Sequence, residues 1–309
     1  MDRREFLKTA QGLLATVFGS SFISIEELDA METSENKPDL IWIHAMSCDG
    51  CSTAFLNAEV PLVDILSRFV NIVFHPTVMA SDGKLSMEIL KKYENSKNEL
   101  ILVVEGAIPS KEMPHVCMMG EEFIRDTIIN AARNASLAIA AGTCATFLGI
   151  CDMKGMHTNA VSLHKCFEEE GIETPLINLP TCPMKPNHLL YTVFYYMKYR
   201  KQPPFDLMHR PLRFFGNTVH ERCIYYNDYQ EKIFAKKIGD RGCLFKLGCQ
   251  GPVTKCDCIQ SSNDYDKYNC IKSGHPCVGC ASENFPRNII FKHSDDERQL
   301  EKYKDFKRI

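Results

Sequence analysis

The sequence lacks the features that mark membrane-spanning, nucleic-acid-binding or repetitive proteins. It has one tryptophan, and 36 lysines and arginines against 39 acidic residues give a net charge of −3. Because no excess of positive charge is present, we expect no nucleic-acid partner. A 17-residue apolar run at 135–151 is interrupted by Gly142, so it does not predict a membrane span. These absences, together with the lack of internal repeats, indicate a globular protein.

Cysteine, by contrast, is abundant. The chain holds 15 cysteines, and eight of them lie between Cys223 and Cys280. A chain of 309 residues can bury an adequate core without disulfides, and an odd count leaves one thiol unpaired in any fully bridged scheme. Most of these cysteines stand in loops rich in glycine and proline, which is typical of metal ligands. The cysteines therefore indicate metal binding.

The N-terminus carries an arginine pair, Arg3 and Arg4, followed by Phe6, Leu7 and a weakly apolar stretch over 12–24. This pattern resembles a twin-arginine signal, which exports proteins in the folded state. The alternative is a cytosolic amphipathic helix whose arginines face solvent. We assign residues 1–36 to a signal and linker. The expected location is the periplasm or the outer face of the cytoplasmic membrane.

Apolar runs alternate with helix-like stretches through the first two thirds of the chain. The predicted strands are 40–44, 71–74, 100–104, 137–141 and 176–178, and the predicted helices are 52–69, 86–93, 121–134 and 160–170. This alternation predicts an α/β domain over 37–200, with a parallel sheet covered on both faces. Over 201–309 the periodicity fades, and we expect an irregular domain held by metal–thiolate bonds, with a charged helix or tail at 295–307.

Four cysteines of the predicted sheet domain follow strands. Cys48 and Cys51 form a C-x-x-C after the first strand, Cys144 follows the fourth, and Cys182 follows the fifth. The carboxyl ends of parallel strands meet at one edge of a sheet, where ligands bind. Four thiolates converging there would bind zinc or an iron–sulfur cluster, and the sulfurs alone do not decide between these.

Eight further candidate ligands form two sets in the C-terminal third. The first set is His220, Cys223, Cys243 and Cys249, and the second is Cys258, Cys270, Cys277 and Cys280. Three four-ligand sites in one chain are poorly explained as structural zinc, whereas serial redox centres explain them well. An imidazole in place of a thiolate removes one negative charge and raises a cluster's potential, which suits a terminal station near solvent.

These motifs, in this order, are similar to those of the nickel–iron hydrogenase small subunit. The matching segments are C-D-G-C at 48–51, V-E-G at 104–106, G-T-C-A-T-F at 142–147, L-P-T-C-P at 179–183, H-E-R-C at 220–223, C-L-F-K-L-G-C-Q-G-P-V-T at 243–254 and G-H-P-C-V-G-C at 274–280. The likeness runs from about residue 41 to 285. It implies a flavodoxin-like N-terminal domain and a cysteine-rich C-terminal domain held by iron–sulfur clusters.

The resemblance also implies which residues hold the clusters. A proximal 4Fe–4S cluster would take Cys48, Cys51, Cys144 and Cys182, with Glu105 beside it. A distal 4Fe–4S cluster would take His220, Cys223, Cys243 and Cys249, and a medial cluster would take Cys258, Cys277 and Cys280.

The medial set departs from many relatives. In those proteins proline stands seven residues before the cysteine of the G-H-P-C motif, and the cluster is 3Fe–4S. Here that position is Cys270, as in selenium-containing members, which predicts a 4Fe–4S cluster of lower potential. A 3Fe–4S cluster is the alternative if Cys270 is not a ligand. Cys256 competes with Cys258 for one ligand role, and the nine-residue step from Cys249 favours Cys258.

The function implied by the resemblance is electron transfer. The chain would relay electrons from dihydrogen oxidation in a large subunit that carries the nickel–iron centre, and it would be active only with that subunit. The external acceptor would be a cytochrome c or a membrane cytochrome b. The rivals are a secreted zinc- or disulfide-stabilised binding protein without a redox role, a quinone-oxidoreductase-type subunit with only the proximal cluster, and a cytosolic relative that reduces a deazaflavin.

Overall fold

The computed structural model describes residues 2–18, 24–34, 36–56, 62–94, 98–152, 158–260 and 269–286. The strands are β1 (Asp39–His44), β2 (Asn71–Phe74), β3 (Leu100–Glu105), β4 (Met118–Met119), β5 (Glu122–Phe123), β6 (Leu137–Ala141) and β7 (Leu176–Leu179). The α-helices are α1 (Arg3–Phe18), α2 (Ile25–Thr33), α3 (Gly50–Leu56), α4 (Leu62–Phe69), α5 (Gly83–Glu94), α6 (Ile124–Asn134), α7 (Gly142–Phe147), α8 (Leu163–Glu170), α9 (Pro186–Tyr199), α10 (Leu212–Phe215) and α11 (Tyr226–Gln230).

Five strands form one parallel sheet in the order β2-β1-β3-β6-β7, and β4 and β5 form a separate hairpin. Without the hairpin, this is the 2-1-3-4-5 order of flavodoxin-like domains. The chain order reverses between β1 and β3, where Ile41 lies opposite Leu102. Ligands of such sheets bind in the crevice outside the carboxyl ends of the strands. The predicted α/β class and parallel sheet are confirmed.

Helices cover both faces of this sheet, because alternate residues of a strand point to opposite sides. On one face, Trp42 and Val103 pack with buried residues of α1, α4 and α9, such as Phe194. On the other face, Ile43 and Leu102 pack with buried residues of α5, α6 and α8. The sheet is therefore an internal layer, and its side-chain contacts position the loops at its carboxyl edge.

Some helix predictions differ from the structure. The helix predicted over 52–69 is divided into α3 and α4, and residues 122–123 belong to the hairpin and not to α6. Helix α9 was not predicted, because it is buried nearly all round and so lacks the amphipathic pattern of a surface helix. The charged segment predicted at 295–307 lies outside the described residues.

The N-terminal segment forms a helix, α1, that packs against the sheet domain. Phe6 is 1% exposed and stacks on Phe69 with ring centroids 6.2 Å apart. The Arg3 guanidinium pairs with Asp29 at 2.7 Å and Glu32 at 3.2 Å. The segment is thus amphipathic, with one side buried. Within the described ranges, no helix combines the length and apolar character that crossing a bilayer requires.

The described part of the C-terminal region is irregular and cysteine-rich, as predicted. It contains α10, α11 and two 3₁₀ turns at Phe245–Leu247 and Gly251–Val253. His188 on α9 joins it to the sheet domain, because its Nε2 lies 2.9 Å from Asp257 Oδ1 and its ring stacks on Phe214 at 4.1 Å. The domain limits at residues 36 and 200 stay a prediction.

Candidate metal centres

The first cysteine group lies at the carboxyl edge of the sheet. Cys51 is in α3 after β1, Cys144 is in α7 after β6, and Cys182 follows β7. The structure brings their thiols close enough to interact electrostatically, Cys51 with Cys144 and Cys182, and Cys144 and Cys182 with Cys48. We call Cys48, Cys51, Cys144 and Cys182 the proximal group.

Glycines allow the backbone to approach these sulfurs. Gly142 has φ +82°, and a Cβ there would lie 2.5 Å from the Sγ of Cys51. Gly149 has φ +51°, and its Cβ would lie 2.8 Å from the Sγ of Cys144. Any larger residue would meet both a strained backbone and a ligand side chain. The two glycines are therefore part of the proximal group's geometry.

Burial controls the protonation of these thiols. It raises the pKa of Cys144 to about 12, and it raises the pKa of Cys51 well above its usual range. The backbone N–H of Met184 donates to the Sγ of Cys51 over 3.2 Å and opposes that rise. Without a bound cation the thiols of Cys51 and Cys144 stay protonated at neutral pH, so binding a metal centre there must release their protons.

Glu105, at the end of β3, holds the C-x-x-C loop in place. Its buried carboxylate accepts the backbone N–H groups of Cys51 at 3.1 Å and Ser52 at 3.0 Å, and the Ser47 hydroxyl at 2.9 Å. Burial alone would raise the pKa of Glu105, but hydrogen bonds from His44, Ser52 and Ser47 lower it to about 2. The residue is therefore a carboxylate at any working pH.

Sequence reasoning identified Glu105 but missed His44. The Nε2 of His44 lies 2.8 Å from the Ser52 hydroxyl and 3.3 Å from Glu105. His44, Asp49 and Glu105 bring possible ligand atoms within 4.8 Å of one another. Hydrogen-bond donors already occupy the Glu105 carboxylate oxygens. We therefore explain the grouping of these three residues as the hydrogen-bond network that holds the loop. The sequence feature that could have identified His44 was its position at the end of a predicted strand.

The second group surrounds a small, mainly apolar cavity, part of which is open to solvent. The cavity is lined by His220, Cys223, Cys243 and Cys249, which we call the distal group. The N–H of Tyr225 donates to the Sγ of Cys223 over 3.4 Å. Burial raises the pKa of Cys243 to about 11 and that of Cys249 to about 12. The rings of Tyr226 and Tyr229 lie 5.2 and 4.5 Å from that of His220.

The third group lies between the first two. The thiol of Cys277 interacts with those of Cys270 and Cys280, and Cys280 also interacts with Cys256. Cys256 is hydrogen-bonded to Cys258, which together with burial raises the pKa of Cys256 well above its usual range. We call Cys258, Cys270, Cys277 and Cys280 the medial group, with Cys256 as a close neighbour.

Hydrogen bonds connect the medial group to both of the others. The backbone N–H of Cys182, a proximal residue, faces the thiol of Cys280 and opposes the rise that burial causes in the pKa of that thiol. The backbone N–H of Cys277 donates to the Sγ of Cys249, a distal residue, over 3.4 Å. The Thr143 hydroxyl also donates to the carbonyl oxygen of Cys280. The three groups therefore form one continuous series in the order proximal, medial, distal.

The chemistry of these groups fits iron–sulfur clusters. Soft sulfur ligands, backbone N–H donors aimed at the sulfurs and apolar walls are the surroundings that such clusters have in proteins. All fifteen cysteines are free thiols in the structure, so none of them is used in a disulfide. The arrangement can hold three metal centres in series.

Comparisons with known proteins agree with this arrangement. The family model "NADH ubiquinone oxidoreductase, 20 Kd subunit" matches residues 48–196. The model for the C-terminal part of the NiFe/NiFeSe hydrogenase small subunit matches residues 215–292. The first region holds the proximal group, and the second holds the distal and medial groups. A protein with only the proximal-type site would not match the second model.

Relatives cover nearly the whole chain. The periplasmic [NiFeSe] hydrogenase small subunit of Desulfomicrobium baculatum is 32% identical over 307 residues, covering 93% of this chain and 96% of the relative. The hydrogenase-2 small chain of Escherichia coli K12 is 34% identical over 295 residues, covering 92% and 77%. The structure of the H2-activated D. baculatum [NiFeSe]-hydrogenase matches with a TM-score of 0.78 and 30% identity, covering 83% of this chain and 99% of that chain. This chain belongs to the small subunits of the nickel–iron hydrogenases.

Proposed function

We propose that this chain conducts electrons from dihydrogen oxidation in a nickel–iron large subunit to an external acceptor, through three iron–sulfur clusters. The observation that carries the proposal is the continuity of the three groups. The hydroxyl of Thr143, which adjoins Cys144 of the proximal group, donates to the carbonyl oxygen of the medial Cys280, and the N–H of the medial Cys277 donates to the Sγ of the distal Cys249. Redox sites arranged in series can pass electrons from one site to the next, whereas structural zinc sites have no need to lie in a series.

Each cluster, when bound, would accept and release one electron at a time. The proximal 4Fe–4S cluster would be held by Cys48, Cys51, Cys144 and Cys182, the medial by Cys258, Cys270, Cys277 and Cys280, and the distal by His220, Cys223, Cys243 and Cys249. The N–H donors of Met184, Tyr225 and Cys277 point at ligand sulfurs. Such donors stabilise the thiolates and raise the reduction potentials of the clusters they contact.

The medial ligand set takes Cys258 in preference to Cys256. Cys256 is hydrogen-bonded to Cys258, so the two thiols lie close enough to compete for one ligand position. The nine-residue step from Cys249 favours Cys258. Cys270 supplies the fourth sulfur, so the medial cluster would be 4Fe–4S.

The distal group is the exit of the series. His220 is the only one of the twelve ligands that is not a thiolate, and the distal cavity opens in part to solvent. The acceptor would be a cytochrome c or a membrane cytochrome b. Export in the folded state by the twin-arginine route, to the periplasm or the outer face of the membrane, is supported by Arg3, Arg4, Phe6 and Leu7, and the D. baculatum relative is named as periplasmic.

The test is a heterodimer in which His220 is replaced. The complex with the large subunit is purified without oxygen, and dihydrogen is added to the wild type and to His220→Ala. We expect dihydrogen to bleach the cluster absorbance of both proteins. Reduction of an added cytochrome should fall at least tenfold in the variant, because the last station is lost. Equal cytochrome reduction by both proteins would contradict the proposed direction of flow.

A further inference from the structure

The segment 224–246 wraps around the distal group. The N–H of Ala235 donates to the carbonyl of Cys243 over 3.0 Å, and the N–H of Cys243 donates to the carbonyl of Ile233 over 2.9 Å. Tyr229 lies between the His220 ring at 4.5 Å and the Phe234 ring at 6.1 Å. The outer surface of this segment, which we call the distal face, is therefore one layer of side chains from the exit ligand.

The distal face is rich in cations. Its exposed cationic residues are Lys232, Lys236, Lys237, Arg241 and Lys246. Over 224–246 these five cations outnumber three acidic residues, Asp228, Glu231 and Asp240, and the Asp240 carboxylate accepts the backbone N–H of Lys237 over 3.2 Å. Among the described residues, none of the five cations forms an ion pair with a carboxylate, and the Lys246 ammonium lies 4.9 Å from the Phe234 ring. Their charge is therefore directed outward.

Aliphatic side chains stand among these cations. Ile224 is 56% exposed, Ile233 is 48% exposed and Ile238 is 51% exposed. Isolated exposed aliphatic residues are ordinary, but Ile233 and Ile238 adjoin Lys232 and Lys237 in the sequence, so the face offers apolar contact area beside its positive charge. None of the three is a proposed ligand, and none of them lines the distal cavity.

We propose that the distal face is the docking surface for the external acceptor, and that this acceptor is a small redox protein with an acidic surface. The inference rests on the proposed function, since it assumes that electrons leave at the distal group. Unpaired cations accelerate the encounter with an anionic partner and orient it toward His220. The same cations would also attract an anionic bilayer, and the vesicle experiment described below tests that alternative.

The test uses the intact heterodimer, dihydrogen and one probe in two charge states. Native mitochondrial cytochrome c is basic, and its succinylated form is acidic. The succinylated form should be reduced faster at low ionic strength, and its second-order rate constant should fall about tenfold or more as salt rises to several hundred millimolar. The native form should show no such decrease.

Charge reversal on the distal face should remove this preference. The variant Lys232→Glu/Lys236→Glu/Lys237→Glu is expected to lower the low-salt rate with succinylated cytochrome about tenfold or more. None of these lysines lies within two residues of a proposed ligand. The control reverses three exposed cations of the sheet domain, Lys84→Glu/Lys92→Glu/Arg133→Glu, and should keep the wild-type rate. The triple glutamine variant of the same distal lysines repeats the test with a smaller charge change.

Three results separate the possible failures. A wild-type heterodimer that cannot reduce even a small neutral dye with dihydrogen contradicts the proposed function itself. Normal dye reduction with a salt-independent rate toward succinylated cytochrome, unchanged in both triple variants, overturns the docking surface alone. Co-sedimentation of the wild type, but not of the glutamate variant, with phosphatidylglycerol vesicles, together with unchanged cytochrome rates, assigns the face to a membrane and overturns the proposal as well.

Discussion

The backbone N–H of Cys277 points at the Sγ of Cys249, 3.4 Å away, and so joins the medial group to the distal group. At the other end of the medial group, the hydroxyl of Thr143, which adjoins Cys144, donates to the carbonyl oxygen of Cys280. Because a single hydrogen bond joins each pair of neighbouring groups, a shift of the backbone at one group would also move residues of the next. A substitution at one group should therefore be felt by the next.

The first prediction concerns Cys270 and the type of medial cluster. Cys270→Pro places the residue of many relatives at this position and removes one sulfur ligand. The iron content should fall by about one atom per chain, and a 3Fe–4S signal should appear in the oxidised EPR spectrum. The medial potential should rise, because one negative charge is lost. The matched control is Cys166→Ala, a buried thiol of the sheet domain, which should change neither quantity. An unchanged iron content in Cys270→Pro would remove Cys270 from the ligand set.

The second prediction concerns Glu105. In Glu105→Gln the side chain keeps its shape, but its NH2 group faces the N–H groups of Cys51 or Ser52, which lose an acceptor. We expect a loss of stability of about 2 kcal/mol and a weaker hold on the proximal cluster. Thermal unfolding and iron content of the anaerobic heterodimer measure the two effects. Glu88→Gln, on the exposed side of α5, is the control; if both variants behave alike, the carboxylate does not hold the loop.

The third prediction separates steric contact from backbone strain at Gly142. A Cβ at this position would lie 2.5 Å from the Sγ of Cys51, so Gly142→Ala should lose most of the proximal cluster, about four irons. Gly171 also has positive φ, at +60°, but no atom lies within 4 Å of its Cβ position. Gly171→Ala should therefore cost only the strain, about 1 kcal/mol, and keep all the iron. Full iron in Gly142→Ala would show that Cys51 is not fixed beside this glycine.

The fourth prediction is a pH dependence. Burial, together with the charge of Glu122, raises the pKa of Glu94 from its usual 4.5 to about 7. The folded state therefore holds a proton that the unfolded state has lost, so stability falls as pH rises from about 4.5 to 7. Glu94→Gln should remove this loss. The free energy of unfolding of the variant should equal that of the wild type near pH 4 and exceed it by about 1–2 kcal/mol above pH 7, after allowance for solvent screening. Melting temperatures of variant and wild type at both pH values measure it; an equal gain at both would exclude titration of Glu94.

The fifth prediction concerns export. Arg3→Lys/Arg4→Lys keeps the charge of the N-terminus, including the ion pairs that Arg3 makes with Asp29 and Glu32. If the pair is a twin-arginine signal, the variant should keep its fold but remain in the cytoplasm. Cell fractionation followed by immunoblotting measures the distribution. An unchanged periplasmic share would favour α1 as a structural helix only.

The sequence predicted the parallel sheet well for a physical reason. Its central strands are buried on both faces, so they appear as continuous apolar runs such as 137–141. The same pattern led to the prediction that four cysteines meet at the sheet edge, because loops after parallel strands converge there, and their role as ligands stays a prediction. Helix α9 escaped prediction, since a helix buried all round has no polar face to set its period.

Details of the sites depended on contacts between distant parts of the chain. His44 and Ser52 meet Glu105 across more than fifty residues of sequence, which no local pattern reveals. The choice between Cys256 and Cys258 also depends on three-dimensional structure, because only the contacts of each thiol distinguish two cysteines that flank a single aspartate. Spacing favours Cys258, and the choice between the two cysteines stays a prediction.

The central claim is that this chain holds three four-iron clusters in series. Its most direct test is the iron and acid-labile sulfide content of the anaerobically purified heterodimer, with low-temperature EPR on the same sample. We expect about twelve irons and twelve sulfides from this chain, beyond the iron of the large subunit, and reduced-state signals of interacting 4Fe–4S clusters. Almost no iron or sulfide in protein never exposed to air would contradict the account and favour a zinc- or disulfide-stabilised protein.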